Sequence, residues 1–332
     1  MTIVSVLGGG AWGTALALVS HRADNKTLLW TRNLQTAEHL AKDKENQRSL
    51  PGIALPTDLT ITSSLEEALN ADIILLAVPA QTVRNLLGQI KPYVSKNGYL
   101  VVCSKGIEIG TGLLMSEVIH ESLPEISVSV LSGPTFARDV ASGQPTAATL
   151  SAREIETSRW LASTLSSQNF RVYPSNDIIG VEVSGALKNV IAIAAGIATA
   201  RGYGDSARAS LITRGLAEIT RLGMAKGAHP ETFLGPSGVG DIILTCTSTQ
   251  SRNMSLGITI GHKNIVTEAM LKGCLLTEGV FTAKAAVELA SVLEVELPIC
   301  RGVNNILHHQ SPIDSEIITL LSRPLKMETH SH

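Results

Sequence analysis

Three short polar clusters interrupt the apolar and small residues of this 332-residue sequence. The first is Ser104-Lys105-Gly106, and the second is Gly185-Ala186-Leu187-Lys188-Asn189. The third is Gly238-Val239-Gly240-Asp241, which Ser251-Arg252-Asn253 follows shortly afterwards. Each cluster contains a charged side chain that could transfer a proton or bind an anion.

Lys188 is the strongest candidate for proton transfer. It lies among apolar residues that include Val183, Leu187 and Val190. Burial there would disfavour the ammonium form and lower the pKa of the lysine toward the range useful for general acid–base catalysis. The alternative is a lysine whose ammonium group reaches solvent from the surface of a helix.

The third cluster offers a carboxylate and a pair of donors. Asp241 and Thr245 are four residues apart and share a face if this stretch is helical, although Asp241 could also only cap that helix. Arg252 and Asn253 suit a phosphate or a carboxylate, because a guanidinium presents its N–H groups in a fixed fork. An exposed arginine in a polar loop explains Arg252 equally well.

A glycine-rich turn near the start predicts a dinucleotide site. Gly8, Gly10 and Gly13 fit G-x-G-x-x-G after the apolar run 3–7. In that motif the first glycine forms the turn, the second admits a pyrophosphate, and the third lets helix and strand approach each other. The motif alone also fits an ordinary strand–helix turn, but the β/α units that follow favour dinucleotide binding.

The sequence leaves NAD and NADP open as cofactors. The acid that would bind a ribose hydroxyl is expected ~20 residues after the glycines, at the end of the second strand. That place reads Trp30-Thr31-Arg32-Asn33, and neither Asp24 nor Glu38 is well placed. Arg32 could bind the 2′-phosphate of NADP, or it could be a solvated surface charge.

Alternating strands and helices must position these residues. The patterns predict strands over 3–7, 27–30, 71–78, 99–103, 128–131, 147–150 and 170–173, with helices over 11–19, 81–90, 113–122 and 153–166. The run 71–78 is apolar on both faces, as in a central parallel strand covered by helices on each side. We therefore predict an α/β fold with an N-terminal Rossmann-type, doubly wound parallel sheet.

A change of pattern near residue 176 predicts two domains. We expect a dinucleotide-binding domain over 1–176 and an all-helical substrate and catalytic domain over 177–332. The helix that begins around Asp177 carries small residues that permit close packing. Its apolar stretch 190–200 is shorter than the ~20 residues of a membrane span, so we predict a buried helix and no membrane insertion.

The charge, the aromatic content and the cysteine spacing of the sequence limit the classes of partner and the cell compartment that we expect. The net charge is −2, from 27 basic and 29 acidic residues, and 3% of the residues are aromatic, so a nucleic-acid partner is not expected. The cysteines Cys103, Cys246, Cys274 and Cys300 are far apart, and no secretion signal precedes the first strand. We predict a cytoplasmic protein with a small-molecule substrate and without a metal.

Six ordered blocks closely resemble NAD(P)-dependent glycerol-3-phosphate dehydrogenase, and the resemblance covers nearly the whole chain. Two shorter segments, 211–215 and 277–280, also fit that family. The six blocks are the glycine turn with its helix (8–16), Ser104-Lys105-Gly106-Ile107-Glu108, Ser132-Gly133-Pro134-Thr135-Phe136-Ala137, residues 185–190, residues 240–248 and Ser251-Arg252-Asn253.

The resemblance implies interconversion of dihydroxyacetone phosphate and sn-glycerol 3-phosphate with NADPH or NADH, and a role in supplying phospholipid synthesis. It implies that Lys188 is the proton donor or acceptor and that Lys105 lies near both nicotinamide and substrate. Asp241 then orients the lysine and the substrate hydroxyls. The remaining implied substrate residues are Gly133, Thr135, Asn189, Ser251, Arg252 and Asn253.

The same resemblance implies a set of cofactor residues and a homodimer. Ala11 stands where a serine is common in the family, which removes one side-chain hydrogen bond but keeps the backbone amide. Beyond the three glycines, the implied cofactor residues are Ala11, Trp12, Arg32, Lys105, Ala137, Arg252, Leu276 and Glu278.

Two other functions fit parts of the pattern. A hydroxy-acid dehydrogenase of similar two-domain plan could use Arg252 to bind a carboxylate. A dinucleotide-sensing regulatory protein would need the glycine turn but no proton donor, so the combination of Lys188, Asp241 and Arg252 argues against it.

Overall fold

The computed structural model describes residues 1–95, 98–267 and 277–324. Its first half contains ten strands: β1 (Ile3–Leu7), β2 (Lys26–Trp30), β3 (Glu45–Asn46), β4 (Leu50–Ala54), β5 (Thr60–Thr62), β6 (Ile73–Leu76), β7 (Tyr99–Val102), β8 (Ser127–Ser132), β9 (Thr146–Ala152) and β10 (Phe170–Ser175). Eight of them form one sheet in the order β10-β9-β8-β7-β6-β1-β2-β5, while β3 and β4 pair separately.

Helices cover both faces of this sheet, which confirms the Rossmann-type prediction. They are α1 (Ala11–Arg22), α2 (Leu34–Asp43), α3 (Leu65–Leu69), α4 (Val83–Ile90), α5 (Met115–Ser122), α6 (Ala137–Ala141) and α7 (Ile155–Leu165). Along β6, Ile73 and Leu75 belong to one buried apolar cluster and Ile74 and Leu76 to the other. The central strand is thus buried on both faces, as its apolar run predicted.

One strand pair departs from the predicted parallel sheet. β9 runs antiparallel to β8, with Leu131 opposite Leu150, while the other neighbours in the large sheet are parallel. The only helix between these two strands is the five-residue α6, and a parallel connection normally needs a longer crossover. The short strands β3, β4 and β5 were not predicted, since β4 contains Pro51 and Gly52 and β5 has only three residues.

From residue 177 onward the described residues form helices and connecting loops and no strand, as predicted. The α-helices are α8 (Ile178–Ala200), α9 (Asp205–Ala225), α10 (Asp241–Thr247), α11 (Arg252–Lys263), α12 (Glu278–Val292), α13 (Pro298–His309) and α14 (Ile313–Leu321). A 3₁₀-helix spans Pro230–Leu234, and a short π-helix spans Pro236–Gly240 directly before α10.

The central helix α8 is packed on nearly all sides. Glycines bring it into backbone contact with α11: a Cβ on Gly196 would lie 2.2 Å from the Met254 carbonyl oxygen, and a Cβ on Gly257 would lie 2.1 Å from that of Ile193. By length and composition α8 could cross a membrane, but 83% of its most apolar window is buried inside the protein. This burial fits the predicted core helix.

Candidate active site

The glycine turn between β1 and α1 has the geometry of a dinucleotide loop. Gly8 has a φ of +132°, and a Cβ on Gly13 would lie 1.8 Å from the Gly8 carbonyl oxygen. A Cβ on Gly10 would meet no atom within 4 Å. Gly10 therefore borders open space at the start of α1, where helix amides are available to bind phosphate, while Gly8 and Gly13 provide the turn and the close packing.

Asn46, which the sequence did not single out, holds this turn in place. Its buried Nδ2 donates to the Gly9 carbonyl oxygen at 3.0 Å and to Thr14 Oγ1 at 2.8 Å. Because the Gly9 carbonyl is bound from the β3 side, the turn is fixed before any phosphate binds. Asn46 lies far from the glycines in sequence, and no spacing pattern identifies it.

Four of the other residues implied for the cofactor, Ala11, Trp12, Arg32 and Ala137, lie near the glycine turn or at the end of β2. Ala11, Trp12 and Ala137 pack against the apolar cluster that contains Ile73 and Leu75 of β6. The Trp12 Nε1 is buried without a hydrogen-bond partner. Arg32 follows β2 and is exposed. Within the described residues Arg32 makes no hydrogen bond or ion pair. Leu276 lies outside the described residues.

Lys188, Asp241 and Lys105 form one hydrogen-bonded cluster. The Lys188 Nζ donates to Asp241 Oδ1 at 2.5 Å and to Thr245 Oγ1 at 2.9 Å. The Lys105 Nζ donates to Asp241 Oδ2 at 2.8 Å and to the Gly133 carbonyl oxygen at 3.2 Å. One carboxylate therefore bridges two ammonium groups, which makes both of its oxygens charge-assisted acceptors.

Elements from both halves of the chain assemble this cluster. Lys188 comes from the middle of α8, while Asp241 and Thr245 share one face of α10 at i and i+4. Lys105 follows β7, and Gly133 follows β8, both at the carboxyl edge of the sheet. In open α/β sheets that edge is where ligands bind.

Burial sets the protonation behaviour of the cluster. The side chain of Asp241 is fully buried, and that of Lys188 is 9% exposed. The pKa of Lys188 is lowered to about 8: burial is the largest cause, the charge of Asp241 acts in the opposite direction, and the nearby Lys105 contributes to the lowering. Lys188 can therefore exchange a proton near neutral pH, as the sequence predicted from its apolar neighbours.

A chain of amide hydrogen bonds runs beside this cluster. Asn189 Nδ2 donates to the Gly185 carbonyl oxygen at 3.3 Å, and Asn253 Nδ2 donates to Asn189 Oδ1 at 2.9 Å. Asn253 Oδ1 in turn accepts the backbone N–H of Gly279 at 3.0 Å. The two asparagines thus use much of their capacity inside the protein, and one N–H of each amide is left for a ligand.

Arg252 differs from Asn253 because it is exposed, although partial burial of its guanidinium lowers the pKa of Arg252 and the charge of Glu278 opposes that shift. Ser251 caps α11 by accepting the Met254 N–H at 3.2 Å, and Arg252 is the first residue of that helix and is exposed. Thr135 Oγ1 donates to the Gly133 carbonyl oxygen at 3.1 Å. Among the described residues the guanidinium of Arg252 has no hydrogen-bond partner, so its N–H groups are available to an anion at the N-terminus of α11.

Glu278, at the start of α12, lies against Ala80 and close to Gly106 in the sheet half of the chain. Its Oε1 accepts the Ala80 N–H at 2.9 Å, while its Oε2 is buried without a partner, as is Thr282 Oγ1. Burial raises the pKa of Glu278 to about 7, and the charge of Arg252 opposes that shift. Both unpartnered oxygens lie close to Gly106. They fit a bound group that carries hydrogen-bond donors, as the carboxamide of a nicotinamide does. Sequence patterns gave no signal for Thr282.

The described residues contain no group of three or more His, Cys, Asp or Glu that could hold a metal ion. The ionisable groups that the site brings together are two lysines and a carboxylate at the carboxyl edge of a dinucleotide-binding sheet. Together, the fold and the site define the class of nicotinamide-dependent dehydrogenases.

Comparison with known proteins identifies the family. A sequence model described as the N-terminus of NAD-dependent glycerol-3-phosphate dehydrogenase matches residues 3–158, and one described as the C-terminus of the same enzyme matches residues 177–318. The chain belongs to the NAD(P)-dependent glycerol-3-phosphate dehydrogenase family, as its sequence blocks indicated.

Relatives match over almost the full chain. Glycerol-3-phosphate dehydrogenase [NAD(P)+] of Rhodospirillum rubrum is 46% identical over 326 residues, covering 98% of this chain and 93% of the relative. The enzyme of the same name from Bradyrhizobium diazoefficiens is 47% identical, covering 98% of both chains. The crystal structure of glycerol-3-phosphate dehydrogenase from Coxiella burnetii is 34% identical with a TM-score of 0.92, covering 97% of this chain and 99% of that one.

A hydroxy-acid dehydrogenase has a similar overall fold. A structure of D-mandelate dehydrogenase with NADH superposes with a TM-score of 0.62 at 16% identity, covering 95% of this chain and 99% of that chain. This likeness shows a shared fold and carries no information about substrate.

Proposed function

We propose that this protein interconverts dihydroxyacetone phosphate and sn-glycerol 3-phosphate, with Lys188 as the proton donor or acceptor. The observation that carries the proposal is the bridge from Lys188 through Asp241 to Lys105 at the carboxyl edge of the sheet. When bound, NADPH or NADH supplies a hydride from its nicotinamide C4. The residues of this chain hold the substrate and move the proton.

The lysine cluster suits reduction of a ketone. Hydride arrival at the carbonyl carbon leaves an alkoxide, which a nearby ammonium group can stabilise and protonate. Lys188 can supply that proton because its pKa is lowered to about 8 by burial. Asp241 and Thr245 hold the Lys188 Nζ in place, and Lys105 adds a second positive charge beside it.

A single assay tests this function. Oxidation of NADPH and of NADH is followed with dihydroxyacetone phosphate, and with unphosphorylated 2-keto acids as competing substrates. Turnover with the phosphorylated ketone is expected. Turnover with a keto acid in its place would favour the hydroxy-acid alternative.

Arg252→Ala is expected to raise KM for dihydroxyacetone phosphate by about 10- to 100-fold, with a smaller change in kcat. The exposed guanidinium at the start of α11 is the charged donor that we assign to the substrate phosphate, and a charge-assisted bond is worth about 1.5–3 kcal/mol. Initial rates across substrate concentrations measure the effect. Arg301→Ala, at an exposed position on α13, is the control. An unchanged KM in the Arg252 variant would contradict the assignment.

Arg32→Ala is expected to weaken NADPH binding about tenfold and to leave NADH binding unchanged. Arg32 is exposed after β2, where the ribose of the adenosine half would lie, and within the described residues no carboxylate pairs with it. Fluorescence titration with both cofactors measures the two dissociation constants. Equal losses for NADH and NADPH would show that Arg32 does not bind a 2′-phosphate.

The wider assignments follow from the family and from the arrangement of elements. We assign residues 1–176 to a dinucleotide-binding domain and residues 177–332 to a helical substrate and catalytic domain. The end of β10 at Ser175 and the start of α8 at Ile178 support this boundary. A homodimer, a cytoplasmic location and a role in phospholipid synthesis belong to the same proposal, and size-exclusion chromatography with light scattering tests the dimer.

A further inference from the structure

Glu182 is a buried carboxylate that the site described above does not use. It lies on α8, six residues before Lys188, and is 6% exposed. Both of its oxygens contact Ser116: Oε1 accepts the Ser116 N–H at 2.9 Å, and Oε2 accepts the Ser116 hydroxyl. Placing a carboxylate in such a site costs free energy, so its presence needs an explanation.

Ser116 is in the first turn of α5, on the sheet side of the molecule. Amides in the first turn of a helix have no partner within the helix, and the positive end of the helix dipole favours an anion there. The contact therefore joins the helix that carries Lys188 to a helix that covers the sheet.

Neighbouring contacts also join α5 to the helical half of the chain. Val181, next to Glu182, belongs to the buried cluster on the α5 face of the sheet. Glu117 of α5 accepts the Leu114 N–H at 2.7 Å through Oε2 and the Lys226 Nζ at 2.8 Å through Oε1, and Lys226 follows α9. Of the charged groups near Glu182, Glu117 raises its pKa and Lys226 lowers it, while burial is the largest cause of a rise to about 7.

The contacts between α8 and α5 set where Lys188 lies relative to Lys105. The rise of a helix places Lys188 about 9 Å along α8 from Glu182. If α8 slid or turned by one residue, Glu182 would lose both donors and remain buried without a partner. Lys105 comes from the sheet side, so the position of α8 against α5 also sets the distance between Lys105 and the Lys188–Asp241 pair.

We infer that Glu182 is a positioning residue, which, through Ser116, holds α8 so that Lys188 meets Asp241 and Lys105 in the reactive arrangement. The inference rests on the proposed role of Lys188. Glu182 acts through the helix and has no contact with substrate or cofactor in this assignment.

The test compares Glu182→Ala with a matched control, Glu218→Ala. Glu218 is likewise a buried carboxylate at a helix N-terminus, accepting the N–H groups of Ile299 at 2.6 Å and Cys300 at 3.1 Å, but its partners lie within the helical half. Both variants are expected to lose stability. Only Glu182→Ala is expected to lower kcat, by about 10- to 100-fold at a temperature where both remain folded, because small misplacements of reacting groups are costly.

A second readout does not depend on turnover. Competitive chemical labelling of Lys188 across pH, followed by mass spectrometry, measures its pKa. In Glu182→Ala this pKa is expected to rise from about 8 toward the ordinary lysine range, because looser docking admits water and moves Lys105 away. Glu182→Gln keeps one acceptor and one donor for Ser116, so its kcat is expected to stay within about threefold of wild type.

The outcomes separate the two proposals. Absence of wild-type turnover with dihydroxyacetone phosphate would contradict the proposed function, while the labelling experiment would still test the positioning role. An unchanged Lys188 pKa in Glu182→Ala, or an equal change in Glu218→Ala, would overturn the inference. Ser116→Ala removes one of the two donors and is expected to change kcat and the Lys188 pKa in the same direction by a smaller amount.

Discussion

Lys188→Ala is expected to lower kcat for reduction of dihydroxyacetone phosphate by about 10³- to 10⁴-fold while NADPH binds with unchanged affinity. Proton transfer by a positioned group contributes about 10²–10⁴ to a rate, and the variant also loses the charge that stabilises the developing alkoxide. The glycine turn that we assign to the cofactor lies on the sheet side, away from the substituted side chain on α8. Steady-state rates and a fluorescence titration with NADPH measure the two effects separately.

The matched control is Lys284→Ala, which removes an exposed lysine from α12. It is expected to leave kcat within about twofold of wild type, as is usual for surface substitutions. A Lys188 variant that kept full activity would remove the proposed proton donor.

The pH dependence of the wild-type enzyme has a definite sign. Reduction needs the ammonium form of Lys188, so its kcat is expected to fall as pH rises through about 8. Oxidation of glycerol 3-phosphate needs the neutral amine, so its kcat is expected to rise over the same range. In Lys188→Ala both dependences on this group should disappear from the pH profile.

Local patterns predicted the parts of the site that depend on neighbouring residues. The glycine spacing anticipated which position is open and which is packed, and the structure has Gly10 open and Gly13 against Gly8. The apolar neighbours of Lys188 anticipated its burial and lowered pKa. In both cases residues close in sequence determine the environment.

Contacts between distant residues were not accessible to the same reasoning. Asn46 binds the glycine turn from a separate β-hairpin, and Glu182 binds Ser116 across 66 positions of sequence. The antiparallel pairing of β9 also depends on how the chain returns to the sheet edge after α6. Neither periodicity nor propensity specifies such pairings, because both describe a single element at a time.

The pairing of Lys188 with Asp241 lies between these cases. The two residues are 53 positions apart, and the apolar surroundings of each polar cluster indicated only that each charge needed an explanation. Resemblance to the family grouped them, and the structure then showed the bridge to Lys105. Because Asp241 bridges both ammonium groups, a change at this one carboxylate alters the charge around both lysines.

Asp241→Asn is expected to lower kcat for reduction at neutral pH by about 10²-fold and to destabilise the fold by about 3 kcal/mol. Among the described residues, the fully buried carboxylate of Asp241 is the one group that forms ion pairs with both lysine ammoniums. Replacing it with an amide leaves two positive charges beside a neutral group, and removing one partner of a buried ion pair costs about 3–5 kcal/mol. Thermal unfolding and steady-state kinetics measure the two losses.

The direction of the accompanying pH shift tests the electrostatic argument. The charge of Asp241 raises the pKa of Lys188, so its removal is expected to lower that pKa below about 8 and move the fall in reduction rate to more acidic pH. Lys105→Met in the Asp241→Asn background removes the repelling neighbour. The double variant is therefore expected to recover part of the lost stability, which gives a non-additive double-mutant cycle. Additive losses, or a shift of the profile to higher pH, would show that the carboxylate does not couple the two lysines.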